Sequence, residues 1–268
     1  MVLVKSFPTS SCVGVILIHQ DKIFTGSYDY SSSSRFGNIQ LYSSDMSLIR
    51  TQETSGILDL KIHSSFLYAA TSNSLLKFNL SLDLLKEVST PHMNTFIYIN
   101  ISSSRLYICT SNGSITVYSP DLVFLYSLQV SNDILWTCTL YNSLLLCGGE
   151  CSTLFFIKDK EVIKKMKFEQ GICSLLVERD IVMVGSYDEH VYKIFIDRII
   201  EKKKIGGGIW RIIKKNEKFY MSCMYEGIKI LGEKNYSKGE LVYGIDVNEE
   251  YIIYSSFYNK VIYKIKIN

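Results

Sequence analysis

Residues 171–197 read GICSLLVERDIVMVGSYDEHVYKIFID, and their pattern decides the fold. An apolar run is followed by a short polar turn, a second run ending in small residues, a tight turn and a third, alternating run. Alternation with a period of two is what a half-buried strand requires, because successive side chains leave opposite faces. The same unit recurs along the chain. Its second strands read KIFTGS, FLYAAT, RLYICT, LLLCGG, IVMVGS, FYMSC and IIYSS.

The aligned small residues are Gly26, Ala70, Cys109, Gly148, Gly185, Ser222 and Ser255, at intervals of 44, 39, 39, 37, 37 and 33 residues. That spacing is the length of a four-stranded propeller blade. Each third strand is followed by a shorter, more polar one, such as LLKEV, FLYSLQ or VIKKMKF, suited to the wet outer edge. The seventh repeat holds only three strands, Val242–Val247, Tyr251–Ser255 and Val261–Ile267, whereas the chain begins with an unpaired one, Val2–Phe7. The expected fold is an all-β, seven-bladed β-propeller whose N-terminal strand completes the last blade and hides two sheet edges.

The repeat consumes residues 1–268, so a single domain is expected. The serine-rich stretch Tyr30–Arg35 reads as an enlarged turn of blade one. A net charge of +3 from 29 basic and 26 acidic residues gives no field that argues for nucleic acid. The basic run Glu201–Lys204 falls where an exposed outer strand belongs. Seven cysteines, an odd number mostly at apolar positions, suggest a reducing compartment; Cys147 and Cys151 lack a second pair with zinc spacing, so no metal is expected. No apolar run approaches membrane-spanning length, and a cytoplasmic monomer without cofactor is the expectation.

Between residues 171 and 247 stand five words, GICS, GSYDEH, GGGIWRI, CMYEGIKI and LVYGIDV. In a propeller, the turns after second strands and the turns before first strands emerge on one rim, so all five converge there. Asp188 aligns with Asp29, Asn73 and Asn112 in other blades, which marks it as a turn-former. Glu189 and His190 have no counterpart. His190 is the only one of four histidines on this rim, and it reads as a general base with Glu189 or Asp188 orienting its ring. Trp136, Cys173, Trp210 and Tyr243 occupy equivalent first-strand positions, where aromatics pack between blades or wall a pocket. Arg211 offers a planar fork for a carboxylate or an oxyanion. Cys173 and Cys223 are candidate nucleophiles, although a free cysteine is more often a small hydrophobe. Ser186 lacks the strained elbow of a hydrolase serine.

These words, in this order, resemble the WD-repeat family of diphthamide biosynthesis, the methylated diphthine methylesterases. Upstream, Trp136 and Cys147–Glu150 (CGGE) look like the family's tryptophan strand and its glycine-glycine-acid turn, and Tyr187 lies in the GSYDEH turn itself. The resemblance spans residues 136–247. Glu150-Cys151 departs from the family's paired aspartates, and Ile196-Asp197 from the tryptophan-aspartate pair. The resemblance implies a carboxylic ester hydrolase that removes the methyl ester from methylated diphthine on translation elongation factor 2. His190, Glu189, Asp188 and Arg211 would then be catalytic, and Trp210, Tyr243, Trp136, Glu150, Cys173, Cys223 and Tyr187 would bind substrate. The alternative is a noncatalytic propeller scaffold for protein–protein interaction.

Overall fold

The alternating segment 171–197 folds as its pattern requires. In the computed structural model, which describes residues 2–31, 34–100, 104–233 and 240–267, it forms strands Ile172–Glu178, Ile181–Ser186 and His190–Phe195. Arg198–Lys204 adds a fourth, exposed at every position, so the basic run at its end is a solvated face. All neighbours in this sheet, blade five, are antiparallel.

Blade one comprises Val13–His19, Lys22–Ser27, Ser34–Ser43 and Leu48–Ser55; blade two comprises Ile57–His63, Phe66–Thr71, Ser74–Asn79 and Leu84–Ser89. Blade three runs through Asn94–Asn100, Arg105–Thr110, Ser114–Tyr118 and Phe124–Gln129, and blade four through Leu135–Tyr141, Leu144–Gly149, Thr153–Lys158 and Glu161–Lys167. Blade six shows Arg211–Lys215, Lys218–Ser222 and Ile228–Ile230. Blade seven is Ile245–Val247, Tyr251–Ser256 and Val261–Lys266, completed by Val2–Pro8, which pairs antiparallel with Val261–Lys266. The ring is therefore closed by the N-terminal strand. No helix occurs among the described residues.

The small residue of each second strand has a packing cause. A Cβ on Gly26 would lie 2.4 Å from Ile57 Cγ2, one on Gly148 2.7 Å from Ile172 Cβ, and one on Gly185 2.8 Å from Ile209 Cγ2. Each absence of a side chain lets an isoleucine of the next blade nest against the sheet. Ala70, Cys109, Ser222 and Ser255, at the same position elsewhere, are fully buried. The core is thus a series of inter-blade layers, such as the one built from Leu146, Phe156, Ile172 and Val184.

The enlarged turn of blade one carries a short ladder at its ends, where Asp29–Ser31 pairs with the long third strand, Tyr30 opposite Arg35 and Asp29 opposite Phe36; residues 32 and 33 of that stretch lie outside the described residues. One expectation needs correction. The first strand of blade seven begins at Ile245 rather than Val242, because Val242 bridges to Met224 of blade six instead.

Candidate functional site

The first strands of blades one to five begin with an irregularity that re-aims one side chain. In blades one to five the pairing register slips by one residue, between Val13 and Val15, Ile57 and Asp59, Asn94 and Phe96, Leu135 and Thr137, and Ile172 and Ser174. The residue skipped in each case is Gly14, Leu58, Thr95, Trp136 or Cys173, and a bulge turns such a residue out of the ladder. Trp210 and Tyr243 stand at the matching places of blades six and seven. One cavity of about 130 Å³ is lined by Gly14, Leu58, Thr95, Trp136, Trp210 and Tyr243 from this ring, together with Tyr28, Arg35 and Tyr187. All seven blades contribute, so it lies on the ring axis.

Its walls are aromatic. The Trp210 ring is 5.3 Å from that of Trp136, 4.9 Å from Tyr243 and 6.4 Å from Tyr187. Glu150 fixes two of these rings with one oxygen: its Oε1 accepts from Trp136 Nε1 at 2.5 Å and from the Tyr187 hydroxyl at 3.2 Å. Burial pushes the Tyr187 phenol well up, and Cys173 and Glu150 beside it push the same way, so the proton stays on the phenol oxygen. Burial likewise pushes Tyr243 up to about 12. Glycines make room for the tyrosines: a Cβ on Gly14 would meet the Tyr28 ring at 2.9 Å, and one on Gly171 the Tyr187 ring at 2.8 Å.

Tyr28 and Tyr187 share a word, GSYD, at residues 26–29 and 185–188. The repetition was readable in the sequence, and it identifies Tyr28 as the blade-one counterpart of Tyr187. Gly14, Leu58 and Thr95 follow from aligning first strands on Trp136. Arg35 carried no such signal, because it sits in a serine-rich stretch whose pairing the alternation does not reveal.

His190 belongs to a different neighbourhood. Its amide donates to Asp188 Oδ1 at 3.0 Å, and its Nδ1 lies 2.7 Å from the Asp188 carbonyl oxygen, with the Tyr192 hydroxyl donating to Asp188 Oδ2. A carbonyl oxygen only accepts, so Nδ1 carries the proton and Nε2 is left as the basic nitrogen. Asn73 and Asn112 serve comparable turns through Thr71 and Thr110, which agrees with a turn-forming role for Asp188. Asp188, not Glu189, orients the ring. Glu189 sits in the left-handed region at φ 70° and pairs with Lys204 at 3.3 Å.

Arg211 has a partner of its own. Its Nη2 donates to Asp59 Oδ1 at 2.9 Å, joining blade six to blade two. Lys61 lies 3.3 Å from Asp59 Oδ2, and the Ile97 amide donates to the same oxygen at 3.1 Å. An axial ion cluster thus takes the guanidinium that the sequence offered to a substrate oxyanion. Cys173 and Cys223 are buried, and burial holds the Cys173 thiol well above its usual value and pushes Cys223 up to about 12. Neither supplies a thiolate near neutral pH. No group of three or more metal-ligating side chains occurs among the described residues.

No protein-family model and no curated protein sequence matches the chain. Solved structures do. The WD40 β-propeller domain of Doa1 superposes with a TM-score of 0.82 at 13% identity, over 98% of this chain and 95% of that one. A chain of the mitotic checkpoint complex gives 0.82 at 9% identity, over 99% and 92%. The computationally designed protein Ika8 gives 0.71 at 10% identity, over 97% and 98%. At such identities the likeness is one of fold: the chain is a seven-bladed propeller of the WD40 type.

Proposed function

We propose that the protein is a carboxylic ester hydrolase acting on methylated diphthine of translation elongation factor 2, with the axial cavity as its substrate site. The observation that carries this reading is convergence: Trp136, Tyr187, Trp210 and Tyr243, drawn from separate sequence words, wall one cavity. Aromatic walls backed by a carboxylate attract a quaternary ammonium through cation–π and charge terms. A trimethylammonium is what that substrate carries beside its ester.

Hydrolysis adds water to the ester carbonyl, expels methanol and leaves a carboxylate, so one group must take a proton from the water. Two groups are suited to it. Glu150 stands behind the cavity wall through the rings it holds, and His190, outside the lining, has Nε2 free of the Asp188 contact that takes its Nδ1. A protein substrate also needs a docking surface. Tyr30, on the short strand Asp29–Ser31 of blade one, and Tyr225 and Tyr258, on turns of blades six and seven, are 73%, 64% and 68% exposed, a composition typical of interface hot spots.

The second reading is a noncatalytic WD40 scaffold that uses the same rim for protein contacts. It is favoured by the two buried thiols and by the commitment of Arg211 to Asp59. Mass spectrometry of methylated-diphthine elongation factor 2 after incubation with wild type, His190→Ala and Glu150→Gln decides between them. Loss of one CH2 of mass with wild type establishes the esterase, and the variant that abolishes it identifies the base. No loss with folded wild type leaves the scaffold.

A further inference from the structure

The arginines with described partners in this chain mostly face carboxylates: Arg50 pairs with Asp83, Arg179 with Glu178 and Arg211 with Asp59. Arg35 does not. Among the described residues it has no carboxylate partner; its Nη1 donates to the thioether of Met93, and its guanidinium lies 5.5 Å from the Tyr28 ring centroid and 5.0 Å from that of Tyr30. Its backbone is held firmly, since the Arg35 carbonyl accepts from the Gly56 amide at 3.1 Å and its ladder partner is Tyr30. Gly56 permits that approach, because a Cβ there would lie 2.8 Å from Arg35 Cβ. The chain therefore fixes a guanidinium on the lining of the axial cavity with neutral groups around it.

The opposite character holds on the Trp136–Tyr187 wall. There, the Glu150 carboxylate accepts from both the indole and the phenol. A negative charge on the donor end of a ring enriches its π face and strengthens its pull on a cation. One cavity thus has a cation-seeking wall and an anion-seeking residue within about 130 Å³.

We propose that the axial cavity is a two-ended receptor: the rings of Trp136, Tyr187 and Trp210 take a quaternary ammonium, and Arg35 takes the oxygen of a carboxyl or carboxyl ester borne close to it. Arg35 is then the specificity-determining residue that separates such a group from a simple alkylammonium. The small volume requires both groups at one end of the ligand, the chemistry of an N-trimethylated α-amino acid or its ester. The inference rests on the esterase reading only for the identity of the natural substrate; the receptor itself is tested without it.

The chain has two tryptophans, and both line this cavity, so intrinsic indole emission reports its occupancy. Wild-type protein is titrated with glycine betaine, glycine betaine methyl ester, tetramethylammonium and acetate. Saturable changes are expected with betaine and its ester, with tetramethylammonium at least about tenfold weaker, the equivalent of about 1.4 kcal/mol for one charge-assisted hydrogen bond. Arg35→Gln should bind betaine and tetramethylammonium alike, keeping its tetramethylammonium affinity; that retained affinity, with an unchanged melting temperature, shows the variant is folded. Equal binding of betaine and tetramethylammonium by wild type, an unaltered preference in Arg35→Gln, or no response to any of the four overturns the proposal. The elongation-factor assay runs separately. Arg35-dependent betaine binding without demethylation sinks the esterase and leaves the receptor standing, whereas full demethylation by Arg35→Gln does the reverse.

Discussion

Arg211 of blade six and Asp59 of blade two are joined across the propeller axis, Nη2 to Oδ1 at 2.9 Å. Asp59 is fully buried, and its other oxygen is held by Lys61 and the Ile97 amide. The pair ties opposite sides of the ring together directly beneath the aromatic cavity, since each residue follows a cavity-lining one, Trp210 or Leu58. Its first effect is on stability. Removing one partner leaves a buried carboxylate with half its compensation, a loss of about 3–5 kcal/mol. Arg211→Ala should therefore lower the urea midpoint strongly, while Arg211→Lys retains part of the difference. A midpoint equal to wild type for the alanine variant would show that the axial pair does not hold the ring.

The same cluster sets an opposed pair of pH dependences. Burial alone would raise Asp59, yet Lys61 and Arg211 overcome it and the folded value lies below the unfolded one. Its contribution is present above about pH 4, the unfolded value, and is lost as pH falls through the lower folded value. Asp246, which accepts from the Ile18 amide at 2.6 Å, is raised by burial. Its contribution is full below about pH 4 and declines as pH rises through its folded value. In unfolding free energies measured from pH 2.5 to 7, Asp59→Asn should flatten the acid limb, and Asp246→Asn should remove a loss on the way to neutrality. Identical pH slopes in both variants and wild type would refute the assignment.

Much of this molecule was readable in its sequence, for a physical reason. A small residue recurs at one position of all seven second strands, and in three blades its glycine makes room for the next blade's isoleucine, as at Gly185 and Ile209. The aromatic wall was readable because Trp136, Trp210 and Tyr243 break an otherwise plain position. What was hidden depends on pairs that no spacing encodes. Asp59 and Arg211 are 152 residues apart, so a sequence reading had no means of knowing that the guanidinium was already engaged. His190 looked adjacent to Glu189, but the left-handed turn at Glu189 sends its carboxylate to Lys204. Arg35 was lost in a stretch that reads as a loop, although Arg35 itself pairs with Tyr30.

Thiol chemistry separates the sequence's nucleophile candidates from the structure's. Of the seven cysteines, Cys151 alone is partly accessible and the other six are buried. A thiol-reactive disulfide reagent should titrate one group quickly in the native protein and seven in denaturant. Under the proposed esterase function, Cys173→Ala and Cys223→Ala should keep ester hydrolysis within about threefold of wild type, because neither thiol ionises readily where burial disfavours its charge. Loss of more than about a hundredfold in a folded variant would restore a covalent mechanism.

The exposed tyrosines predict a division between docking and chemistry. Tyr225 and Tyr258 stand on turns of blades six and seven, and Tyr258 packs on Phe257 with ring centroids 5.4 Å apart, while Phe257 in turn meets Tyr243 at 5.2 Å. Truncating such an aromatic at an interface costs about 2 kcal/mol or more, about 30-fold in affinity. Under the proposed function, Tyr225→Ala with Tyr258→Ala should raise KM for the elongation factor by at least that factor. The kcat should hold, and betaine titration of the cavity should be unchanged. A fall in kcat with constant KM would move these residues from docking into the reaction itself.

Trp210 is the residue on which the cavity turns, because its ring touches three others, those of Trp136, Tyr187 and Tyr243. A desolvated cation over an indole gains about 2 kcal/mol, so Trp210→Ala should weaken tetramethylammonium binding about 30-fold, read from the emission of Trp136. Trp210→Phe retains a face of weaker quadrupole and should fall between. Glu150→Gln keeps a hydrogen-bond acceptor for Trp136 and Tyr187 but removes the charge behind their rings, so it should weaken the cation severalfold while leaving the emission of the free protein nearly unchanged. If Trp210→Ala lost no affinity while Glu150→Gln lost most, the charge rather than the ring faces would bind the ligand, and the aromatic wall would be packing alone.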